Sequence, residues 1–225
     1  METKMIEYAR PDGKKAPGYL EVPVAGKNAP AVVVIQEWWG LNDQIKGVAD
    51  RLAKAGYRAL VPDLFRGKVT RNRDEASHMM QKLDWSDAIV DIRGAVQHLK
   101  SFAPSKVAVM GFCMGGALTI LAGIEVPELD AGVCFYGIPP ASKGDPSRIR
   151  VPMRFHFATK DDWCNAPTVG KLEEALKRGK VSYELDWYQA DHAFMNEARP
   201  EVHEPTAAKL AWERTLKFLA TCLSS

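Results

Sequence analysis

The sequence predicts an α/β fold built on a mostly parallel central sheet with helices on both faces. Short β-branched runs such as Ala31-Val32-Val33-Val34-Ile35 lack the alternation of a half-exposed strand and fit strands buried on both faces. Amphipathic helical stripes separate these runs, and strand and helix alternate along most of the chain. The residues able to do chemistry fall directly after strands, where the loops of such a sheet gather.

Taken in order, residues 4 to 10 and 18 to 24 read as two extended segments around the turn Pro11-Asp12-Gly13, an N-terminal hairpin or meander. The strand Ala31 to Ile35 stops at Gln36-Glu37-Trp38-Trp39-Gly40. Asn42 to Ala55 carries Ile45, Val48, Ala49, Leu52 and Ala55 on one stripe, closed by Gly56. Tyr57 to Val61 is a strand ended by Pro62. Asp63 to Asp84 is a long charged connection in which Met79, Met80 and Leu83 mark one amphipathic helix, and a second helix runs from Trp85 to about Phe102. Lys106 to Gly116 then gives strand, sharp turn and helix, with the helix continuing to Gly123. Strands follow at Ala131 to Tyr136, Met153 to Ala158 and Ser182 to Tyr188, with helices from Pro167 to Lys177 and from Thr206 to Leu219. A chain of 225 residues with no shift in composition suits one domain spanning 1–225.

Composition narrows the function. Apolar residues at 46% and charged residues at 26% describe an ordinary globular protein. A net charge of +2 without a basic face argues against nucleic acid as a partner. Cys113, Cys134, Cys164 and Cys222 lie 21, 30 and 58 positions apart, so no paired motif suggests zinc or a dithiol, and free thiols in a reducing compartment are expected. The opening METKMIEYARPDGKK has no apolar signal region, and no apolar run approaches a membrane span. A cytoplasmic protein, monomeric or a small homo-oligomer, is the expectation.

Cys113 sits between Gly111 and Gly115 at the end of the Val107 strand. A G-x-C-x-G sequence between strand and helix is the thiol form of a nucleophile elbow, in which a strained backbone projects the central side chain out of the turn. The N-terminus of the following helix stabilises a thiolate, and the Met114 N–H is placed to meet a developing oxyanion. The competing reading is a small buried residue packed where space is tight. A nucleophilic thiol needs a base and a group to orient it. Asp161, after the strand ending at Ala158, and His192, after the strand ending near Tyr188, supply that pair. Asp162 competes with Asp161 for the acid role, and Asp161 could instead cap a turn. His156 lies within a strand, His78 and His98 lie on helices, and His203 stands at a helix start, so His192 is favoured. Glu37 falls directly after a strand, at the mouth of the sheet, with an ionisation sensitive to burial by Trp38 and Trp39.

These segments together resemble the dienelactone hydrolase family of α/β-hydrolases over nearly the whole chain: QEWWG, GYRALVPDL, GFCMGGAL, the Asp161 loop, and Asp191-His192-Ala193-Phe194. The resemblance implies that Cys113 is the nucleophile, His192 the base and Asp161 its orienter, with Glu37 exchanging contact with the thiol as substrate arrives. The N–H groups of Trp38 and Met114 would form the oxyanion hole. Arg73 falls where the family places one substrate-binding arginine, whereas the position of the second, four residues after the histidine, is Asn196. Arg199 and Arg66 are the substitutes within reach in sequence. Trp39 and Trp163 would line the pocket, or else cover the core. The implied substrate is a small anionic lactone or ester, and the implied chemistry requires no metal or cofactor. A general carboxylesterase or thioesterase, and a thiol redox sensor, are the alternatives.

Overall fold

The computed structural model describes residues 2–24, 29–102 and 106–224. Eight strands form one sheet: β1 (Glu2–Ala9), β2 (Lys15–Val22), β3 (Ala31–Ile35), β4 (Arg58–Pro62), β5 (Val107–Phe112), β6 (Ala131–Phe135), β7 (Met153–Ala158) and β8 (Tyr183–Tyr188). Their order across the sheet is β1-β2-β4-β3-β5-β6-β7-β8. β1 and β2 form an antiparallel hairpin and β2 pairs antiparallel with β4, whereas every pairing from β4 to β8 is parallel. The hairpin begins and ends earlier than the sequence suggests. Its turn is closed by Arg10 N–H to the Lys14 carbonyl at 2.8 Å, so pairing resumes at Lys15 opposite Ala9.

The helices are α1 (Asp43–Lys54), α2 (Arg73–Gln81), α3 (Trp85–Lys100), α4 (Met114–Glu125), α5 (Ala166–Arg178) and α6 (Pro205–Leu223). The side-chain alternation of each strand feeds two cores. Val33, Ile35, Val107 and Val109 pack with Ile92, Val96, Leu118 and Leu172 of α3, α4 and α5. Val32, Val34, Ala108 and Met110 pack with Ile45, Leu52, Ala211 and Leu219 of α1 and α6 on the other face. The Ala31 to Ile35 run is accordingly buried along its whole length. A short 3-10 turn at Pro146–Arg148, absent from the expected elements, starts where the Asp145 side chain accepts the Ser147 N–H. Among the described residues no helix is long and apolar enough to cross a membrane.

The chain turns needed at the sheet's carboxyl edge are set by local capping. Asn42 accepts the Ile45 N–H and opens α1 just beyond the Glu37 loop. Asn72 accepts the N–H groups of Asp74 and Glu75 and opens α2. Both helices therefore begin close to the loops that carry the candidate residues.

Candidate active site

Cys113 joins β5 to α4 with φ 55° and ψ −117°, a backbone state that L residues rarely occupy. Its N–H is held by the Phe135 carbonyl at 3.0 Å, and its own carbonyl accepts the Ala117 N–H at 3.1 Å, so the turn is fixed on both sides. The flanking glycines are required by contact. A Cβ on Gly111 would lie 1.9 Å from the Gly115 carbonyl oxygen, and a Cβ on Gly115 would lie 2.4 Å from that of Ile35. Met114 is the first residue of α4, which puts its N–H at the positive end of that helix.

His192 and Asp161 arrive from neighbouring loops, after β8 and β7. His192 Nδ1 hydrogen-bonds Asp161 Oδ2 at 2.6 Å. The other Asp161 oxygen accepts the N–H groups of Trp163 at 2.8 Å and Cys164 at 3.0 Å, so the carboxylate is both oriented and buried. Burial works to raise the Asp161 carboxyl, but the His192 contact and these N–H groups outweigh it and the net shift is downward. Burial likewise works against charge on His192, yet Asp161 and the adjoining Cys113 thiol lift the imidazole to about 10. His192 Nε2 is buried with no conventional hydrogen bond, and the group acting on the ring beside Asp161 is that thiol. Asp162 is exposed on the pocket wall and is not the histidine's partner.

Glu37 is 3% exposed at the end of β3. Its Oε2 accepts the Asn196 Nδ2–H at 2.7 Å and its Oε1 accepts the Tyr136 hydroxyl at 3.2 Å. Burial raises its carboxyl, opposed by these two donors and by the His192 and Arg199 charges. Asn196, expected among the substrate contacts, is instead 1% exposed and does not line the Cys113 pocket. Its amide is spent on Glu37, and its Oδ1 accepts the Ala198 N–H. Tyr136 is the residue the sequence reading missed. It follows β6 with φ 38°, donates to Glu37, and its ring lies 5.1 Å from that of His192. The available signal was a tyrosine followed by glycine at the carboxyl end of the strand beside the elbow.

The pocket, about 330 Å³, brings together Cys113, His192, Asp161, Glu37, Trp38, Trp39, Trp163 and Arg73. Trp163 stands edge-on to His192 at 4.9 Å and to Trp38 at 6.2 Å, and it is 57% exposed, so it forms the rim of the site. Arg199 also lines the pocket, with its guanidinium 5.5 Å from the Trp39 ring. Arg66 belongs elsewhere: it pairs with Asp91 at 2.8 Å, beside Arg10. The remaining histidines have local roles where their contacts are defined. His156 is buried between the Tyr188 hydroxyl and Thr215 Oγ1, with burial holding it well below its ordinary value. His203 Nδ1 meets the Phe194 carbonyl, while Glu204 makes the cap of α6.

Residues 16–223 match the model of the dienelactone hydrolase family. The chain is similar to protein usf of Aquifex pyrophilus, at 36% identity over 98% of this chain and 99% of that protein. It is also similar to carboxymethylenebutenolidase 1 of Cupriavidus pinatubonensis, at 29% identity over 96% and 95% of the two chains. The fold is that of the dienelactone hydrolase-like promiscuous phosphotriesterase P91 from metagenomic libraries, with a TM-score of 0.86 at 22% identity and 99% of each chain covered. An α/β-hydrolase sheet carrying this elbow, together with a family match from residue 16 to residue 223, makes the chain a member of the dienelactone hydrolase family of carboxylic ester hydrolases.

Proposed function

We propose that the chain, acting as one catalytic domain over residues 1–225, hydrolyses small lactones and carboxylic esters by covalent catalysis at Cys113. The observation that carries this reading is the convergence of a strained, glycine-flanked thiol on a histidine whose other nitrogen is fixed by a buried carboxylate. His192, lifted to about 10, holds at Nε2 the proton that Cys113 gives up on attack.

The sulfur attacks the carbonyl carbon, and the carbonyl electron pair moves onto oxygen, facing the N–H groups of Trp38 and Met114. As the tetrahedral intermediate collapses, the C–O bond breaks and the imidazolium gives its Nε2 proton to the departing oxygen. The product is a thioester on Cys113. Water then attacks it, the now neutral His192 takes the water proton, and the thiolate leaves. In a lactone the departing enolate stays tethered to the acyl group, and it can accept the proton and assist deacylation itself. Glu37, held by Asn196 and Tyr136, acts as a positioning residue for the loop that carries Trp38. Arg73 and Arg199 on the pocket wall favour an anionic substrate, and Trp39 and Trp163 bound it. We place the enzyme in the cytoplasm, as a monomer or small homo-oligomer.

One observation favours the broader carboxylesterase reading: Asn196 brings no charge to the pocket, so a carboxylate clamp here needs Arg199. Steady-state hydrolysis of a dienelactone beside an aryl acetate, with wild type and Cys113→Ser in parallel, tests both. Lactone preference that collapses in the variant is the expected result. Turnover of the aryl ester alone selects the general esterase, and turnover of neither overturns the proposal.

A further inference from the structure

A second histidine, His156 near the end of β7, is fully buried, does not line the Cys113 pocket and is used by no step of the reaction. Its Nδ1 lies 2.8 Å from the Tyr188 hydroxyl, and its Nε2 lies 3.0 Å from Thr215 Oγ1 of α6. Both partners are themselves buried.

The direction of these bonds follows from Arg214. A guanidinium can only donate, and Arg214 donates to the Tyr188 oxygen at 3.3 Å while pairing with Asp186 at 2.9 Å. Directing the phenol proton at His156 Nδ1, and Nε2–H at Thr215, then pairs every buried donor of the chain. A neutral imidazole, with one acceptor and one donor, is what this arrangement requires. Burial, and after it the Arg154 and Arg214 charges, hold the ring neutral, and Arg154 is itself paired with Glu184 and Asp186. His156 is thus spent on hydrogen bonds and is not a second base.

The contacts of His156 reach the supports of all three catalytic residues. Tyr188 closes β8 opposite Ala158, the last residue of β7. Its carbonyl accepts the N–H groups of Thr159 and Ala190, each at 2.9 Å. Those residues open the loops that carry Asp161 and His192, and the Lys160 N–H joins the two loops again at the Ala190 carbonyl, 3.1 Å away. The Tyr188 ring lies 5.1 Å from that of Phe194, just beyond His192. The His156 ring also stacks on Phe135 at 4.5 Å, and the Phe135 carbonyl holds the Cys113 N–H.

We propose that His156 is a positioning residue for the catalytic pair. Through the Tyr188 hydroxyl it fixes the ends of β7 and β8 from which Asp161 and His192 project, and so holds their 2.6 Å contact. Thr215 ties the other nitrogen to α6, so that one helix and two strands support both loops. This role rests on the esterase reading above and deepens it.

Tyr188→Phe removes the hydroxyl alone, and His156→Phe keeps a ring against Phe135 while removing both hydrogen bonds. Each is compared with wild type and with Leu219→Ala, a cavity variant of α6 in the same core. The readouts are kcat and KM on an aryl acetate, the alkaline limb of the pH profile, and an NMR titration of the His192 ring. A looser Asp161 contact sustains less of the rise of His192 to about 10, so both readings of that ring move down. The expected result for Tyr188→Phe and His156→Phe is a kcat about tenfold lower with KM within about twofold, and a limb and titration lowered by about half a pH unit. Leu219→Ala should lose Tm while keeping kcat and the His192 titration. An unchanged titration in both Tyr188→Phe and His156→Phe overturns the positioning role, as does an equal shift in Leu219→Ala. The titration needs no turnover, so a wild type that hydrolyses no ester overturns the esterase reading while the titration still decides the role of His156.

Discussion

Replacing Asp161 by Asn removes one buried charge while keeping the shape of the loop. The Asn carbonyl oxygen can still accept the N–H groups of Trp163 and Cys164, which lie 2.8 and 3.0 Å from the carboxylate they now serve. His192 loses more. Its rise from 6.5 to about 10 corresponds to roughly 5 kcal/mol of preference for the charged ring, shared between Asp161 and the Cys113 thiol and won against burial. Without Asp161, burial is opposed by the thiol and the nearby Glu37 carboxyl only, and the imidazole falls from its raised value. The imidazolium that protonates the leaving group is then scarce at neutral pH, and the tautomer is no longer fixed. We expect kcat/KM to fall on the order of a thousandfold, with the alkaline limb of its pH profile displaced to lower pH. A pH–rate profile on an aryl ester, with an NMR titration of the His192 ring, measures both. A loss smaller than about fivefold, or an alkaline limb that stays in place, would refute the coupling of Asp161 to His192 as the source of activity.

Three further outcomes follow from the same geometry. Gly115→Ala forces a Cβ to within 2.4 Å of the Ile35 carbonyl oxygen and 2.7 Å of that of Gln36, so chemical denaturation should show a loss of about 3 kcal/mol and the elbow should lose activity with it. Asn196→Ala leaves Glu37 buried with Tyr136 as its one remaining side-chain donor and should cost about 2 kcal/mol. Because Glu37 already binds its proton more readily in the folded state, its contribution to stability falls as pH rises from the ordinary carboxylate range through its raised value; Asn196→Ala should extend that fall to higher pH and Glu37→Gln should abolish it, both read from Tm against pH. Alkylation at neutral pH should modify Cys113 first, since Cys134 and Cys164 are buried, with burial pushing the Cys134 thiol up to about 12 and the Cys164 thiol higher still; peptide mass spectrometry reads the order.

Much of this architecture is legible in the sequence because its signals are local. The Val32 to Ile35 run needs burial on both faces wherever it goes, and the Gly111 and Gly115 spacing around Cys113 encodes a turn that tolerates no other residue at its flanks. The helix stripes of α1 and α6 and the capping residue Asn42 act within a few positions of one another. The Asp161 to His192 contact was legible by order along the chain, because both residues follow neighbouring strands. The Glu37 environment was not. It is assembled from Tyr136, 99 positions away, and Asn196, 159 positions away, and neither partner carries a local pattern that announces the contact. Asn196 looked like a weakened substrate contact because its place in the sequence suggested the pocket wall, and only packing turns its amide inward. The N-terminal hairpin slipped for a related reason: turn residues mark where a chain reverses, but the register comes from Ala9 pairing with Lys15 and from β2 lying against β4.

The most direct test of the central claim is the identity of the atom that carries the acyl group. Wild-type enzyme mixed with an aryl ester, quenched in acid during turnover and digested, should yield one peptide heavier by the acyl mass, with the modification on Cys113 and sensitive to hydroxylamine as a thioester is. Cys113→Ala should show neither adduct nor turnover. An adduct on another residue, or turnover that persists in Cys113→Ala, would contradict the assignment of Cys113 as the nucleophile.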